Sequence, residues 1–210
     1  MKSKTIIFTT SLVILIPVFV GLILWNSLPE KIAIHFDVNG NADDWCHKGW
    51  AIFGIPLFIL VAHFFCLFMT AHDPRKKNIS EKIYNVVVWI CPVCSVIGGL
   101  IIYTNALDIS FTVFPIIQGV LGIGITIVGN FLPKSKQNYT VGIRLPWTLS
   151  DNENWNSTHR FAGKVWIIGG LVLIANALIN NWIISLAVIL LIAVIPLFYS
   201  WVYHIRHTTA

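Results

Sequence analysis

The run IIFTTSLVILIPVFVGLILW, residues 6–25, decides the fold class of this 210-residue chain. As a helix its twenty residues reach roughly 30 Å, the thickness of a bilayer's hydrocarbon core. Lys2 and Lys4 precede it as they would a signal peptide. The run is longer than a signal h-region and no small-x-small cleavage site follows, so it reads as an uncleaved first membrane helix. Pro17 predicts a kink, which a membrane helix tolerates where neighbours satisfy the freed carbonyl.

Composition agrees with that reading. Hydrophobic residues make up 56% of the chain and charged residues 11%, a balance that no soluble core can use but a bilayer can. Further apolar runs lie at residues 51–71, 83–103, 111–132, 165–179 and 182–203. The expected fold class is therefore an all-α integral membrane protein with six transmembrane helices. The fifth run is short and only Asn180 and Asn181 separate it from the sixth, which predicts an antiparallel helical hairpin. Gly119, Gly122, Gly124 and Gly129 in the fourth run, and Gly169 and Gly170 in the fifth, leave room for close helix approach.

Six spans put both termini on one side. Of the 14 Lys and Arg residues, all but Lys31 and Lys48 fall on that side. The positive-inside rule then makes both termini cytoplasmic, with the basic loop 72–82 and the long polar segment 133–164. Residues 26–50 form an external loop in which Glu30, Asp37, Asp43 and Asp44 face two lysines, an acidic balance suited to a cationic ligand. Within it Ile32, Ile34, Phe36 and Val38 alternate with Ala33, His35, Asp37 and Asn39, and Asn39-Gly40 is a turn signal, so a short extended strand or hairpin is expected. The domain division implied is an N-terminal three-helix half, 1–104, and a C-terminal half, 105–210.

The cytoplasmic segment reads PKSKQNYTVGIRLPWTLSDNENWNSTHRFAGK. Ser150 and Glu153 fit a capping box, which predicts an interfacial helix between the fourth and fifth spans, beginning at Ser150 and able to run on through Gly163 into the fifth span. Trp147, Leu149, Trp155 and Phe161 suit the headgroup level, which makes aromatic anchoring the plain reading. The sharper reading is a recognition surface of Asn138, Arg144, Trp147, Trp155, His159 and Arg160, with Pro146 stiffening the chain beside the arginine.

Other chemistry finds little support. Cys91 and Cys94 have redox-motif spacing but lie inside a span, where helix packing explains them better. His63 within the second span should face the protein interior, either as part of a polar pathway or simply satisfied by a carbonyl or hydroxyl. No metal-ligand spacing, nucleophile elbow or phosphate loop is present, so neither an enzyme nor a cofactor is expected. The net charge of +5 follows from topology and does not argue for nucleic acid.

The two polar segments resemble those of the SdpI-type family, bacterial membrane immunity and signalling proteins. LPEKIAIHFDVNGNADDW, residues 28–45, looks like the domain of unknown function found in that family, typically LP-x-x-I-P-x-H-(F/W)-x-x-x-G-x-x-D. GIRLPWTL, residues 142–149, followed by a tryptophan and His159-Arg160, is similar to its C-terminal signature, with a G-(I/L)-R-T-P-W-T-L core. Ala33 stands where the family usually has proline, and Leu145 where it has threonine. The resemblance implies resistance to a secreted antimicrobial peptide toxin and, as in some members, capture of an ArsR-like repressor at the membrane. Carried onto this chain, the external toxin-sensing candidates are Pro29, His35, Asp37, Gly40, Asp43 and Trp45. The cytoplasmic signalling candidates are Asn138, Gly142, Arg144, Pro146, Trp147, Thr148, Leu149, Trp155 and Arg160, beside His159. The competing class is a small-solute or peptide transporter using His63, Gln118, Asn130 and Asn176.

Overall fold

A computed structural model describes residues 2–37, 40–109 and 113–208. Among them, six helices are long and apolar enough to cross a membrane: Lys4–Ile23, Trp50–Ala71, Glu81–Ala106, Phe114–Lys134, Asn152–Ile179 and Trp182–His207. The chain is a multi-pass membrane protein. It divides into two compact units, Met1–Met69 with Asn85–Val113, and Thr70–Tyr84 with Phe114–Ala210.

In the first unit the opening span is two helices, α1 (Lys2–Ile14) and α2 (Ile16–Ile23), broken at Leu15 just before Pro17. The Val18 N–H turns to the Leu15 carbonyl at 3.0 Å, leaving the Ile14 carbonyl without its helical donor. The hydroxyl of Ser95, on α4 (Glu81–Ala106), donates to it at 2.8 Å. That is the neighbouring satisfaction a kinked membrane helix requires. Tyr103 on α4 likewise donates to the Pro17 carbonyl at 2.7 Å. The helices are in contact there, because a Cβ on Gly99 would lie 2.7 Å from the Pro17 ring.

His63, on α3 (Ile55–Ala71), is 1% exposed and its Nε2 lies 3.2 Å from the Thr10 hydroxyl. The hydroxyl donates to the Ile6 carbonyl at 2.7 Å, so the imidazole is its donor. Cys46, Cys66, Cys91 and Cys94 form no disulfide.

Residues between α2 and α3 form an antiparallel hairpin, β1 (Lys31–Phe36) with β2 (Ala42–His47). Gly40 takes φ +86°, as a turn there demands, while Val38 and Asn39 lie outside the described residues. The expected strict alternation fails at the hairpin base, where Ile32 and Ala33 are both buried. The register shifts between Ala33 and His35 and again before Phe36, and each shift re-aims the side chains that follow. Ile32 packs with Leu28, Ala51, Ile52 and Tyr103, so the hairpin is rooted in the unit's core. A π-helical turn at Trp50–Gly54 then leads into α3.

In the second unit, α5 (Val113–Phe131) crosses α7 (Asn152–Ile179) on glycines. A Cβ on Gly122 would lie 2.7 Å from the Gly170 carbonyl, and one on Gly163 would lie 2.8 Å from the Gly129 carbonyl. The pairs run in opposite order, so the helices are antiparallel. Gly169 instead faces Val188 and Ile192 of α8 (Trp182–Thr208), while Gly124 meets nothing within 4 Å. Asn180, left-handed at φ 56°, ends α7, and the Asn181 carboxamide accepts the Ile183 N–H at 2.9 Å to start α8. The predicted tight hairpin is present.

The segment before α7 departs from expectation. Ser150 ends a five-residue helix, α6 (Pro146–Ser150), and the cap of α7 is Asp151, whose carboxylate accepts the Glu153 N–H at 2.8 Å. The helix then continues unbroken for 28 residues, so the fifth span begins at Asn152 and not at Val165. The helix runs on through Gly163, a packing contact, as expected.

Gly170→Leu should overpack the α5–α7 crossing by about 1–3 kcal/mol or more and lower the thermal midpoint of the purified protein. Gly124→Leu, facing open space, should leave the midpoint unchanged. Equal midpoints for the two variants would exclude this crossing.

Candidate functional site

The segment from Ser135 to Leu149 is held down side chain by side chain. Asn138, fully buried, closes a turn on itself: its carbonyl oxygen accepts the N–H groups of Thr140 and Val141 at 2.9 and 2.6 Å, and its amide donates to the Lys136 and Val141 carbonyls at 2.8 and 3.0 Å. Asparagine is suited to this because its short amide can mimic backbone on both sides.

Gly142 follows with φ +124°. A Cβ there would strike His159 Nε2 and lie 3.0 Å from the Trp155 ring, so only glycine fits. His159 Nε2 accepts the Ile143 N–H at 3.0 Å, and its Nδ1 lies 2.7 Å from the Trp155 carbonyl. A carbonyl only accepts and a backbone N–H only donates, so the ring is neutral with its proton on Nδ1. Trp155 stacks on it at 4.0 Å and donates from Nε1 to the Ser135 carbonyl at 2.7 Å. Both rings have no exposed surface. Trp155 therefore anchors the loop internally and is not a headgroup-level anchor.

α6 starts at Leu145, which has no capping side chain. Thr148 reaches back, accepting the Leu145 N–H at 2.8 Å and donating to the Ile143 carbonyl at 2.8 Å. Trp147 donates from Nε1 to the Ser200 hydroxyl at 2.9 Å and stacks on His204 of α8. The Ser200 hydroxyl donates to the Asn154 carboxamide oxygen at 2.9 Å, which also accepts from the Thr158 hydroxyl.

A set of residues outside the sequence-derived candidates ties this segment to the loop before α4. Asp73, 5% exposed, accepts the Tyr139 N–H at 2.9 Å and the Thr140 hydroxyl at 2.6 Å on one oxygen, and the Arg75 N–H at 2.7 Å on the other. Arg75 donates to the Gln137 carboxamide oxygen, and Gln137 donates to the Thr148 carbonyl at 2.7 Å. Asn78 adds a bond to the Gln137 carbonyl at 2.6 Å. The available signal was Asp73 itself, the one acid in HDPRKKN.

The ten candidates in segment 133–164 thus divide by position. Asn138, Thr148, Trp155 and His159 are buried, and Gly142, Trp147 and Leu149 are half-buried. Arg144, Pro146 and Arg160 are exposed, with Arg144 held against the Tyr139 carbonyl at 2.6 Å.

On the hairpin, His35 Nδ1 and Asp43 Oδ1 meet at 2.6 Å across the strands. Asp37 accepts the Asn41 N–H at 2.8 Å, and the Gly40 N–H bonds the Asp37 carbonyl at 3.0 Å. Four of the six candidates in loop 26–50 are thus joined as two pairs near the turn, His35 with Asp43 and Asp37 with Gly40, while Pro29 and Trp45 are exposed nearer the base. Lys48 is nearly buried, 2.9 Å from Glu30 and 4.8 Å from the centre of the Trp25 ring. Its hydrogen bond and charge hold the Glu30 carboxyl below the ordinary carboxylate range, with His47 adding to the effect. Burial pushes the Cys46 thiol up.

The polar-pathway residues do not form one cluster. Gln118 and Asn176 meet at 3.2 Å and are buried. Asn130 is exposed beside Lys134, three turns or roughly 18 Å along α5 from Gln118, and His63 is satisfied by Thr10. Among the described residues, no three His, Cys, Asp or Glu side chains are grouped to hold a metal.

Residues 134–200, which carry the loop, α6, α7 and much of α8, match the SdpI/YfhL protein family. Residues 12–60, which carry the hairpin, match a domain of unknown function, DUF1648. The resemblance to the SdpI-type family is thereby established. The chain is 27% identical over 178 residues to the Immunity protein SdpI of Bacillus subtilis (strain 168), covering 82% of this chain and 81% of that SdpI protein. No solved structure matches it significantly. Asp73, Arg75 and Asn78 lie outside both matched stretches. The multi-pass architecture and these matches place the chain in the bacterial cell membrane.

Asp73→Ala removes the acceptor of three donors, two of them on this segment at Tyr139 and Thr140, a loss of about 1–3 kcal/mol. Trypsin should then cut faster at Lys134, Lys136 and Arg144, with Asp73→Asn intermediate because it keeps one acceptor oxygen. Unchanged cleavage in both variants would show that Asp73 does not hold the loop.

Proposed function

We propose that this chain is a non-enzymatic membrane immunity protein of the SdpI type, protecting its cell from a secreted antimicrobial peptide. The observation that carries the reading is the similarity to an immunity protein along 82% of the chain. Both of its motif-bearing segments form built polar structures. In this reading the termini and segment 133–164 are cytoplasmic and the hairpin loop 26–50 is external, as the distribution of Lys and Arg supports. The half 1–104 carries sensing and the half 105–210 carries signalling.

The hairpin meets the toxin with His35, Asp43 and Trp45, whose exposure and acidic surroundings suit a cationic peptide. A cytoplasmic ArsR-like repressor is captured, where one is present, by Arg144, Pro146 and Arg160 with the edges of Trp147 and Leu149. The buried candidates act through these as positioning residues. The transporter reading has no clustered polar pathway to support it.

A strain lacking the gene should become sensitive to the peptide, and expression of this chain should restore growth. Asp43→Asn with Trp45→Ala should weaken protection, while Arg144→Ala should retain protection and reduce repressor release in a transcriptional reporter. Unchanged sensitivity of the deletion strain to the secreted peptides of the organism and its neighbours would reject the immunity reading. Full reporter response in Arg144→Ala would reject the capture surface alone.

A further inference from the structure

A cleft of about 470 Å³ opens in the second unit where α5 ends and α7 runs alongside it. Lys134, Arg160 and Lys164 all line it, with the polar side chains of Asn130 and Ser157, and no carboxylate is among its lining residues. All three cations are exposed. Lys134 donates to the Asn130 carboxamide oxygen at 3.3 Å, and none of the three pairs with an acid among the described residues. Three unneutralised cations converging on one concavity repel one another, so the arrangement favours an anion that bridges them.

The rest of the cleft is of the opposite character. Ile167 and the stacked rings of Phe161 and Tyr199, 4.3 Å apart, also line it. Lys164 is the last charged residue before the apolar remainder of α7, and Lys134 ends the apolar span of α5. The cations therefore stand at the edge of the hydrocarbon, with the aromatic and aliphatic wall beside them. Phosphate alone has no use for such a wall. A phosphodiester headgroup carrying glycerol and acyl chains fits both parts.

We propose that this cleft is a binding site for an anionic phospholipid, with Lys134, Arg160 and Lys164 holding the phosphate and Ile167, Phe161 and Tyr199 taking the glycerol and upper acyl region. The site shares Arg160 with the proposed capture surface, but lipid binding there does not depend on toxin resistance or on repressor capture. It puts lipid headgroups beside Arg160 at the edge of the loop that Asn138 and His159 organise.

The test uses the purified full-length chain in nanodiscs of phosphatidylcholine, with phosphatidylglycerol titrated in, read by thermal unfolding and by native mass spectrometry. Retention of phosphatidylglycerol over phosphatidylcholine should be roughly tenfold and fall to roughly twofold or less in R160Q/K164Q. K76Q/K77Q, which removes equal charge from a different loop, should keep the preference. Should R160Q/K164Q fail to fold in phosphatidylcholine, Lys134→Gln alone should lower the preference. The proposal is overturned if wild type shows no preference, if K76Q/K77Q loses as much as R160Q/K164Q, or if inorganic phosphate at millimolar concentration reproduces the stabilisation.

Discussion

The neutral imidazole of His159 accepts the Ile143 N–H, and the second unit's polar segment is arranged around that contact. A carbonyl on the first turn of α7 needs a donor only if something displaces its helical partner, but the Ile143 N–H, in a loop without regular structure, needs an acceptor outright. His159 supplies it at 3.0 Å while stacked on Trp155. The imidazole can come that close only because residue 142 has no side chain. Gly142, Ile143, Trp155 and His159 thus form one contact whose members are meaningless separately, and replacing any of them moves the loop that carries Arg144.

The same requirement, that buried backbone polar groups find partners, explains the first unit. Pro17 interrupts the opening span and frees a carbonyl, and a hydroxyl eighty-one residues away along the chain closes the account. His63 belongs to this class as well: its depth in an apolar helix suggests function, and its bond to Thr10 shows a group whose hydrogen-bonding need is met within the fold. Polar residues inside a span are expensive and so draw attention, yet here the expense is offset locally. In the second unit the compensation is incomplete: the Asn176 amide donates to Ser185 at 2.9 Å near the α7–α8 turn, while Gln118 Nε2 and Asn176 Oδ1 are buried without a partner among the described residues.

Spans, hairpin and close glycine contacts were legible because each is written locally, in run length, alternation with a turn signal, or a missing side chain. What was not legible depended on partners distant in sequence. Gly122 and Gly124 are two residues apart and equally apolar in context, but only the first meets a backbone, since which face of α5 turns toward α7 is settled by packing. Ser150 had the residue type of a cap, and Asp151, one position later, took the role because Pro146 had already begun a separate short helix ending at Ser150. Asp73 could be seen only as an acid in a basic loop. Its bonds to Tyr139 and Thr140 span more than sixty residues, and no spacing rule reaches that far.

The motif that identifies the chain's resemblance is therefore mostly a folding motif with a small exposed edge. In GIRLPWTL, glycine admits the histidine, threonine stands in for the missing cap at Leu145, and tryptophan locks α6 to α8 through Ser200. Only the arginine and the proline are turned fully outward. Binding hot spots are rich in tryptophan and arginine, which makes Trp147 and Trp155 attractive when the sequence is read alone, but the Trp155 ring is hydrogen-bonded and fully buried and the half-buried Trp147 leaves only an edge for a partner. Truncating such a ring would disturb recognition by disordering Arg144, and the loss would be the same whatever the partner was. Specificity in this segment has to reside in Arg144, Pro146, Arg160 and the edges beside them, because these are the groups whose surroundings would change on contact.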